Sequence, residues 1–360
     1  MARITHFFAG ANSGGGFQNL FTELYDPSET LDFIILKGGP GVGKSSFMRE
    51  LGKTMEDAGT EVEYLHCSGD PDSLDGVLFP EIKSGAVDGT SPHVLEPRYP
   101  AAADRYLDLG RFYDLTAAKE NAAEVKAHTE SYKAAYVRAY RALKAARVLE
   151  LDAAGSAALD RERAARRFQG IARRELRRKG TQRGISTLRF LGSVTYQGYV
   201  WRFDSAEALC PRLYEIPDAY GFAAPFLEDL RREASARRWD TVCCMSPENP
   251  EAMEHLLIPG LGLGFVTTRP GMEYGGRPFR RVRLDALVTV PDRGAARLKG
   301  RMAAALREEG VAALRDAKAA HDKLEAVYNP YVDFDGVRSL AALESGRLLN
   351  WLQQRRRAPR

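Results

Sequence analysis

The predicted fold is decided by one stretch of sequence, Leu31-Asp-Phe-Ile-Ile-Leu-Lys-Gly-Gly-Pro-Gly-Val-Gly-Lys-Ser45. It begins as a short apolar run of the kind that forms a buried strand, and it continues into a glycine-rich turn. In residues 46–58 apolar side chains recur at helical spacing, and Gly59 is a stop signal for that helix. Residues 61–66 predict a second strand. This order predicts a βαβ unit, and therefore a parallel sheet with helices on its faces.

The glycine-rich turn has the spacing of a phosphate-binding loop (P-loop), Gly38-x-x-x-x-Gly43-Lys44-Ser45. Glycines let successive backbone N–H groups face an anion, and the positive end of the following helix dipole adds to the attraction. Lys44 would neutralise the β- and γ-phosphates, and the hydroxyl of Ser45 would be a Mg²⁺ ligand. We therefore predict a site for ATP or GTP with Mg²⁺. The predicted nucleotide-binding residues are Gly38, Gly39, Pro40, Gly41, Val42, Gly43, Lys44, Ser45 and Ser46.

Carboxylates that follow predicted strands are the next candidates for chemistry. Asp88 ends a short apolar run before a glycine, where P-loop proteins carry the acid that holds Mg²⁺, although a turn aspartate has the same pattern. Asp70 and Asp75 follow the second strand, at the sheet edge where ligands bind, and they are also common turn residues. The predicted catalytic residues are Lys44, Asp70, Asp75 and Asp88, and the predicted metal ligands are Ser45 and Asp88.

Length and composition exclude several classes of protein. The chain has 360 residues, of which 44% are hydrophobic and 28% charged, so a wholly disordered or collagen-like chain is excluded. No run approaches the roughly 18 apolar residues of a membrane span, and the N-terminus lacks the layout of a signal peptide. Four cysteines in a chain of this length are not a disulfide framework. These features predict a cytoplasmic protein with no membrane partner.

The two halves of the sequence show an internal repeat. A shift of 179 residues places residues 37–91 on residues 216–270 without a gap, and apolar positions then meet apolar positions. The second half lacks three groups of the first, because Ala223 replaces Lys44, Ala224 replaces Ser45 and Thr267 replaces Asp88. We predict a duplication with one working nucleotide site and a degenerate partner domain.

Two alanine-rich segments separate and follow these α/β parts. Proline and glycine nearly vanish between about residues 106 and 178, Tyr132, Tyr136 and Tyr140 recur at helical spacing, and Gly155-Ser156 predicts a break between two helices. The predicted fold class is α/β, with duplicated P-loop NTPase-like parallel-sheet domains and helical insertions or extensions. The predicted domains are a P-loop α/β domain (1–105), a helical segment with a basic end (106–185), a degenerate P-loop-like α/β domain (186–293) and a helical segment with a basic tail (294–360).

Several motifs together resemble a family of bacterial tandem P-loop ATPase-like proteins of unassigned role. They are Thr5-His-Phe-Phe-Ala-Gly10, Leu36-Lys-Gly-Gly-Pro-Gly-Val-Gly-Lys-Ser45, His66-Cys67, Asp70-Pro-Asp-Ser-Leu-Asp-Gly76 and Val87-Asp-Gly-Thr-Ser-Pro-His93. The resemblance covers nearly the whole chain and implies two P-loop halves and nucleotide binding. Members of this family often keep a lysine in both loops, whereas this chain has Ile216-Pro-Asp-Ala-Tyr-Gly-Phe-Ala-Ala224 at the second position.

Three functions are compatible with these features. The first is a Mg²⁺-dependent ATPase or ATP-driven switch, whose helical segments would contact an unknown protein partner. The second is a nucleotide or small-molecule kinase, in which Asp70, Asp72 or Asp75 would orient the acceptor. The third is a nucleic-acid-associated binding module, because residues 161–189 carry eleven lysines and arginines against two acids. A solvated helix face would have the same charge pattern.

Overall fold

The structure is a computed structural model that describes residues 3–357. Its strands are β1 (Ile4–Phe8), β2 (Gly10–Ser13), β3 (Gly16–Asn19), β4 (Phe33–Lys37), β5 (Val62–His66), β6 (Leu74–Phe79), β7 (Ser84–Asp88), β8 (Asp104–Asp108), β9 (Ala158–Leu159), β10 (Ser186–Arg189), β11 (Gly192–Thr195), β12 (Gly198–Trp201), β13 (Arg212–Pro217), β14 (Thr241–Ser246), β15 (Asn249–Ile258), β16 (Leu263–Thr268), β17 (Arg280–Arg281) and β18 (Val288–Thr289). Its α-helices are α1 (Lys44–Asp57), α2 (Leu115–Glu120), α3 (Ala122–Gly155), α4 (Arg161–Glu175), α5 (Phe203–Leu209), α6 (Ala224–Ala236), α7 (Arg293–Tyr328) and α8 (Phe334–Arg357).

The described chain divides into two units. The first unit consists of residues 3–10, 19–139 and 312–357, and the second consists of residues 11–18 and 140–311. The mixture of helices and parallel-containing sheets makes the fold class α/β. The domain boundaries after residues 105, 185 and 293 stay a prediction.

The first unit is built on a six-stranded mixed sheet in the order β1-β5-β6-β7-β4-β8. Three neighbouring pairs are parallel, whereas β6 is antiparallel to both of its neighbours. The sheet is therefore mixed and not wholly parallel as the strand–helix–strand order predicted. The reason is that residues 67–73 and 80–83 link β5, β6 and β7 by turns, and these are too short for the crossover of about a dozen residues that a parallel pair needs.

Helix α1 covers this sheet with the face that its sequence predicts. Phe47, Met48, Leu51 and Met55 are buried in the core of the first unit, and α1 also packs against α8. Gly59 follows the end of the helix with a φ of +73°, which confirms the predicted stop. The strand predicted from residues 61–66 is also confirmed, as β5.

The second unit contains a six-stranded sheet in the order β10-β14-β15-β16-β13-β17. Its strand directions repeat those of the first sheet, with only the third strand of the order antiparallel to its neighbours. A further four-stranded sheet has the order β12-β11-β2-β3, in which β11 is antiparallel to both β12 and β2.

The predicted helical segments are confirmed in their main features. Helix α3 ends at Gly155 and α4 begins at Arg161, so the break at Gly155-Ser156 is correct. Residues 104–108 pair with β4 as an edge strand before the first helix begins. None of the helices within residues 3–357 combines the length and the apolar character that a membrane span requires.

Candidate functional site

The glycine-rich loop of the first unit lies between the end of β4 and the start of α1. Gly43 is the N-cap of α1, with a φ of +91°, and no side chain of the described chain caps that end of the helix. The first-turn N–H groups of a helix have no partner within the helix, and they carry its positive partial charge. The sequence therefore places an anion-attracting helix end directly behind the loop.

Close neighbours explain why glycines occupy the loop. Gly41 has a φ of +74°, and a Cβ there would lie 2.7 Å from the side-chain amide of Asn329. A Cβ on Gly39 would lie 2.9 Å from the hydroxyl oxygen of Tyr113, which donates a 2.6 Å hydrogen bond to the carbonyl of Pro40. The loop is thus in contact with residues that lie far from it in sequence.

Lys44 and Asp88, predicted to act together, lie together in the structure. The Lys44 amine donates to the carbonyl oxygens of Gly38 and Gly39 over 2.6 and 2.9 Å, and it lies 3.6 Å from the carboxylate of Asp88. Asp88 ends β7, which pairs in parallel with β4, so its backbone position brings the carboxylate to the loop. One of its oxygens also accepts hydrogen bonds from the backbone and hydroxyl of Thr90, as a turn aspartate does. Asp88 therefore has the contacts of a turn aspartate and also lies beside Lys44, and its role as a Mg²⁺ ligand stays a prediction.

The other loop residues have different environments. The hydroxyl oxygen of Ser45 accepts a 2.9 Å hydrogen bond from the backbone N–H of Leu74, which leaves its proton and a second lone pair for other contacts. Val42 is fully buried in the core, and Ser46 is exposed in the first turn of α1. Val42 thus supports the loop through packing, while Ser45 and Ser46 present polar groups.

Asp75 lies beside Asp88 in a buried cluster that also contains His93. The Nε2 atom of His93 is 3.1 Å from a carboxylate oxygen of Asp75, and the ligand atoms of all three residues lie within 4.8 Å of one another. Burial alone would lower the pKa of His93, but the carboxylates of Asp75 and Asp88 outweigh it, so the pKa is raised above its ordinary value. The result is a compact group of two acids and one imidazole next to Lys44.

Asp70 is engaged in the turn between β5 and β6. Its carboxylate accepts hydrogen bonds from the backbone of Asp72 and the hydroxyl of Ser73, and it lies 3.5 Å from the amine of Lys318. These contacts fit the turn role that the sequence left open for Asp70.

The second unit has a loop at the corresponding place, between β13 and α6. Asp218 accepts hydrogen bonds from the backbone N–H groups of Phe222 and Ala223 over 2.7 and 2.8 Å. Burial raises the pKa of Asp218 to about 6, although these two hydrogen bonds lower it. Nearby, Arg269 forms an ion pair with the buried carboxylate of Glu254. In this loop, therefore, the carboxylate of Asp218 binds two backbone N–H groups of the loop itself.

Comparisons of the chain with protein-family models, with curated protein sequences and with solved structures found no significant match. The resemblance to tandem P-loop ATPase-like proteins therefore stays a prediction that rests on the motifs of the sequence.

Two features of these sites were not predicted from the sequence. One is the pairing of His93 with Asp75, for which the only signal was a histidine five residues after Asp88. The other is the carboxylate of Asp218 inside the second loop, whose signal was an acid in place of Gly39 under the internal shift.

Proposed function

We propose that the first unit binds a nucleoside triphosphate with Mg²⁺ and hydrolyses it, either as an ATPase or as an ATP-driven switch. The observation that carries the proposal is the geometry around Lys44, whose amine donates to two carbonyls of the glycine loop and lies 3.6 Å from Asp88. The uncapped start of α1 lies directly behind that loop. Backbone N–H groups, one lysine and one acid are the parts that hold and position a triphosphate in P-loop proteins.

The donor set of this site suits a hard divalent cation. The hydroxyl of Ser45 and the carboxylate of Asp88 are the oxygen ligands that Mg²⁺ prefers. Bound Mg²⁺ would supply positive charge against the phosphate oxygens. The protein's own contributions are separate. The N–H groups of the loop orient the phosphates, and the Lys44 amine donates to phosphate oxygens in place of the loop carbonyls.

Hydrolysis is favoured over transfer to a second substrate by the contacts of the acids. Asp70 is held in its turn by Asp72 and Ser73, so its carboxylate is already used in the fold. Asp75 faces His93 in a buried cluster, where the pair could accept or hold a proton from a water molecule. A kinase would need an acid available to an acceptor, and these two contacts give that alternative less support, although the third candidate, Asp72, is exposed.

A binding measurement tests this proposal most directly. Mg-ATP or Mg-GTP at about 100 times its dissociation constant should stabilise the protein by roughly 2.7 kcal/mol. Lys44→Ala should abolish the thermal shift, because it removes the cation that faces the phosphates. Release of phosphate from ATP without an added acceptor should accompany binding by the unaltered chain.

Lys53→Ala is the matched control for this experiment. Lys53 lies on the same helix, but its side chain is 63% exposed and pairs with Asp57 on the surface. This control should keep the full nucleotide shift. An equal shift in the Lys44 variant, or no shift in the unaltered chain with either nucleotide, would show that the loop is not a nucleotide site.

A cytoplasmic location, and a protein partner for the helical segments, belong to the same proposal. They rest on the absence of a disulfide framework in the sequence and on the length of α3 and α7.

A further inference from the structure

The second unit contains a strongly basic groove between α4 and the edge of its six-stranded sheet. The groove has a volume of about 460 Å³, which is within the range of small-ligand sites. Its lining includes Ile171, Tyr214 and Val282 but no acidic residue. Six arginines line it, namely Arg166, Arg167, Arg174, Arg280, Arg281 and Arg283.

Carboxylates neutralise only half of these arginines. Arg166 pairs with Glu162 and Arg174 with Glu175, and Arg281 donates to Glu215. Within residues 3–357, no acidic side chain forms an ion pair with Arg167, Arg280 or Arg283. Arg167 donates instead to the backbone carbonyl of Arg283. The groove therefore carries three uncompensated positive charges in one concave surface.

Several of the cations are held in fixed positions. The guanidinium of Arg174 donates to the hydroxyl of Tyr214 over 2.7 Å, and that hydroxyl donates to Glu175 over the same distance. Arg281 is fixed by Glu215, which is only 6% exposed. These contacts hold Arg174 and Arg281 in place beside the three arginines that no carboxylate neutralises, so the lining of the groove is partly fixed before a ligand binds.

An exposed aromatic ring lies beside the groove. The side chain of Phe279 is 44% exposed, and the guanidinium groups of Arg212 and Arg280 lie 5.6 and 5.5 Å from its ring centre. Proteins that bind single-stranded nucleic acid combine a basic groove with such a ring, on which a base stacks.

We propose that this groove binds a ligand with consecutive phosphate groups, and that the ligand is a single-stranded nucleic acid. The phosphates lie against the three uncompensated arginines, and a base stacks on Phe279 in place of one of the two guanidinium groups that lie over its ring. A free oligophosphate has the same phosphate chemistry but no base, so the two sources are distinguishable. This site is separate from the nucleotide loop of the first unit and does not depend on the function proposed there.

The test uses the full chain with the Lys44→Ala substitution, so that the first-unit loop does not contribute. The probes are a short labelled oligothymidylate and inorganic tripolyphosphate, each titrated at several salt concentrations. Gly170→Glu places a carboxylate in the groove at a helix position where an added Cβ meets no atom within 4 Å. Glutamate also has a higher helix propensity than glycine, so we expect α4 to persist. The affinity of the Gly170→Glu variant for the oligonucleotide should fall at least about tenfold.

Gly300→Glu is the matched control, because it makes the same charge change at an exposed helix position with equally open space. It should bind as the parent chain does. Replacing Arg280 and Arg283 with glutamine should reduce the salt slope of oligonucleotide binding by about 0.7 for each arginine. Phe279→Ala should weaken the oligonucleotide about tenfold and leave tripolyphosphate unchanged.

Three results would overturn the proposal. They are no binding of either probe at low salt, equal affinities of the Gly170 and Gly300 variants, and binding of tripolyphosphate alone. The last result would show that the groove recognises a free oligophosphate and not a nucleic-acid strand.

Discussion

The carboxylate of Asp218 accepts a hydrogen bond from the backbone N–H of Ala223 over 2.8 Å. Its other oxygen accepts the N–H of Phe222, so two successive N–H groups at the start of α6 face one carboxylate. A phosphate-binding loop uses N–H groups of this kind to hold its anion. In the second unit an acidic side chain of the loop takes that place, which gives a physical reason to expect one nucleotide site per chain.

Asp218→Ala should destabilise the protein by about 1–3 kcal/mol, because buried N–H groups lose their acceptor. Asp218 is only 7% exposed, so water does not readily replace the carboxylate. Inorganic phosphate should partly restore the melting temperature of the variant, since the anion can accept the same N–H groups. Thermal unfolding with and without phosphate measures both effects.

Asp229→Ala is the control for this variant, because Asp229 lies on the exposed side of α6. It should change the melting temperature little and show no additional response to phosphate. If the two variants unfold alike, or if phosphate stabilises both equally, then the carboxylate of Asp218 is not the acceptor that holds this loop.

Asp88→Asn should weaken the binding of Mg²⁺ at the nucleotide loop and so raise the Mg²⁺ concentration that nucleotide binding requires. The amide keeps an oxygen for the backbone N–H of Thr90 but removes the charge that faces Lys44 and a bound cation. Hydrogen bonds to charged groups are worth about 1.5–3 kcal/mol, so about tenfold more Mg²⁺ should be needed for the same thermal shift. A Mg²⁺ titration at fixed ATP concentration measures this.

Asp72→Asn is the matched control, because Asp72 is an exposed acid of the neighbouring turn. It should leave the Mg²⁺ requirement unchanged. If the Asp88→Asn variant needs no more Mg²⁺ than the unaltered chain, then Asp88 stabilises its turn and does not hold the cation.

The strand and the helix that flank the glycine-rich loop could be predicted from the sequence because their signals are local. Glycine spacing, the preceding apolar strand and the following helix all lie within residues 31–58, and α1 and β4 are found where that pattern places them. The direction of β6 could not be predicted with the same rules, because a short apolar run carries no information on the strand that it pairs with.

The Asp75–His93 contact was missed for a related reason. The two residues meet only because β6 and β7 are antiparallel neighbours, which places Asp75 near the end of β7. The sequence placed Asp75 at the ligand-binding edge of the sheet, but it carried no signal for the side chain that this carboxylate contacts. The side chain of Asp218 was missed because its two acceptor oxygens matter only once the loop has folded around them.

Gly41→Ala should destabilise the protein by more than the strain of a positive φ alone would. The positive φ of +74° costs an alanine roughly 1–2 kcal/mol, and its Cβ would also lie 2.7 Å from Asn329. Gly59→Ala is a close control, since Gly59 has a φ of +73° but open space around it. Thermal unfolding should show a larger loss for Gly41→Ala, and only this variant should lose the nucleotide shift. Equal losses of stability with intact nucleotide binding would contradict the close packing of the loop.

His93→Gln should change how stability depends on pH. The buried imidazole of His93 faces Asp75, Asp88 and Lys44, and the two carboxylates raise its pKa above the ordinary value of 6.5. A pKa that is raised by folding adds stability that is fully present below the unfolded pKa and is lost as the pH rises through the folded pKa. The loss of unfolding free energy caused by His93→Gln should therefore be larger at about pH 6 than at about pH 9.

His128→Gln, on α3 beside Glu124, is the control and should not show this trend. Denaturant unfolding at the two pH values measures the difference, and a loss that is constant or grows towards high pH would mean that protonated His93 does not stabilise the cluster.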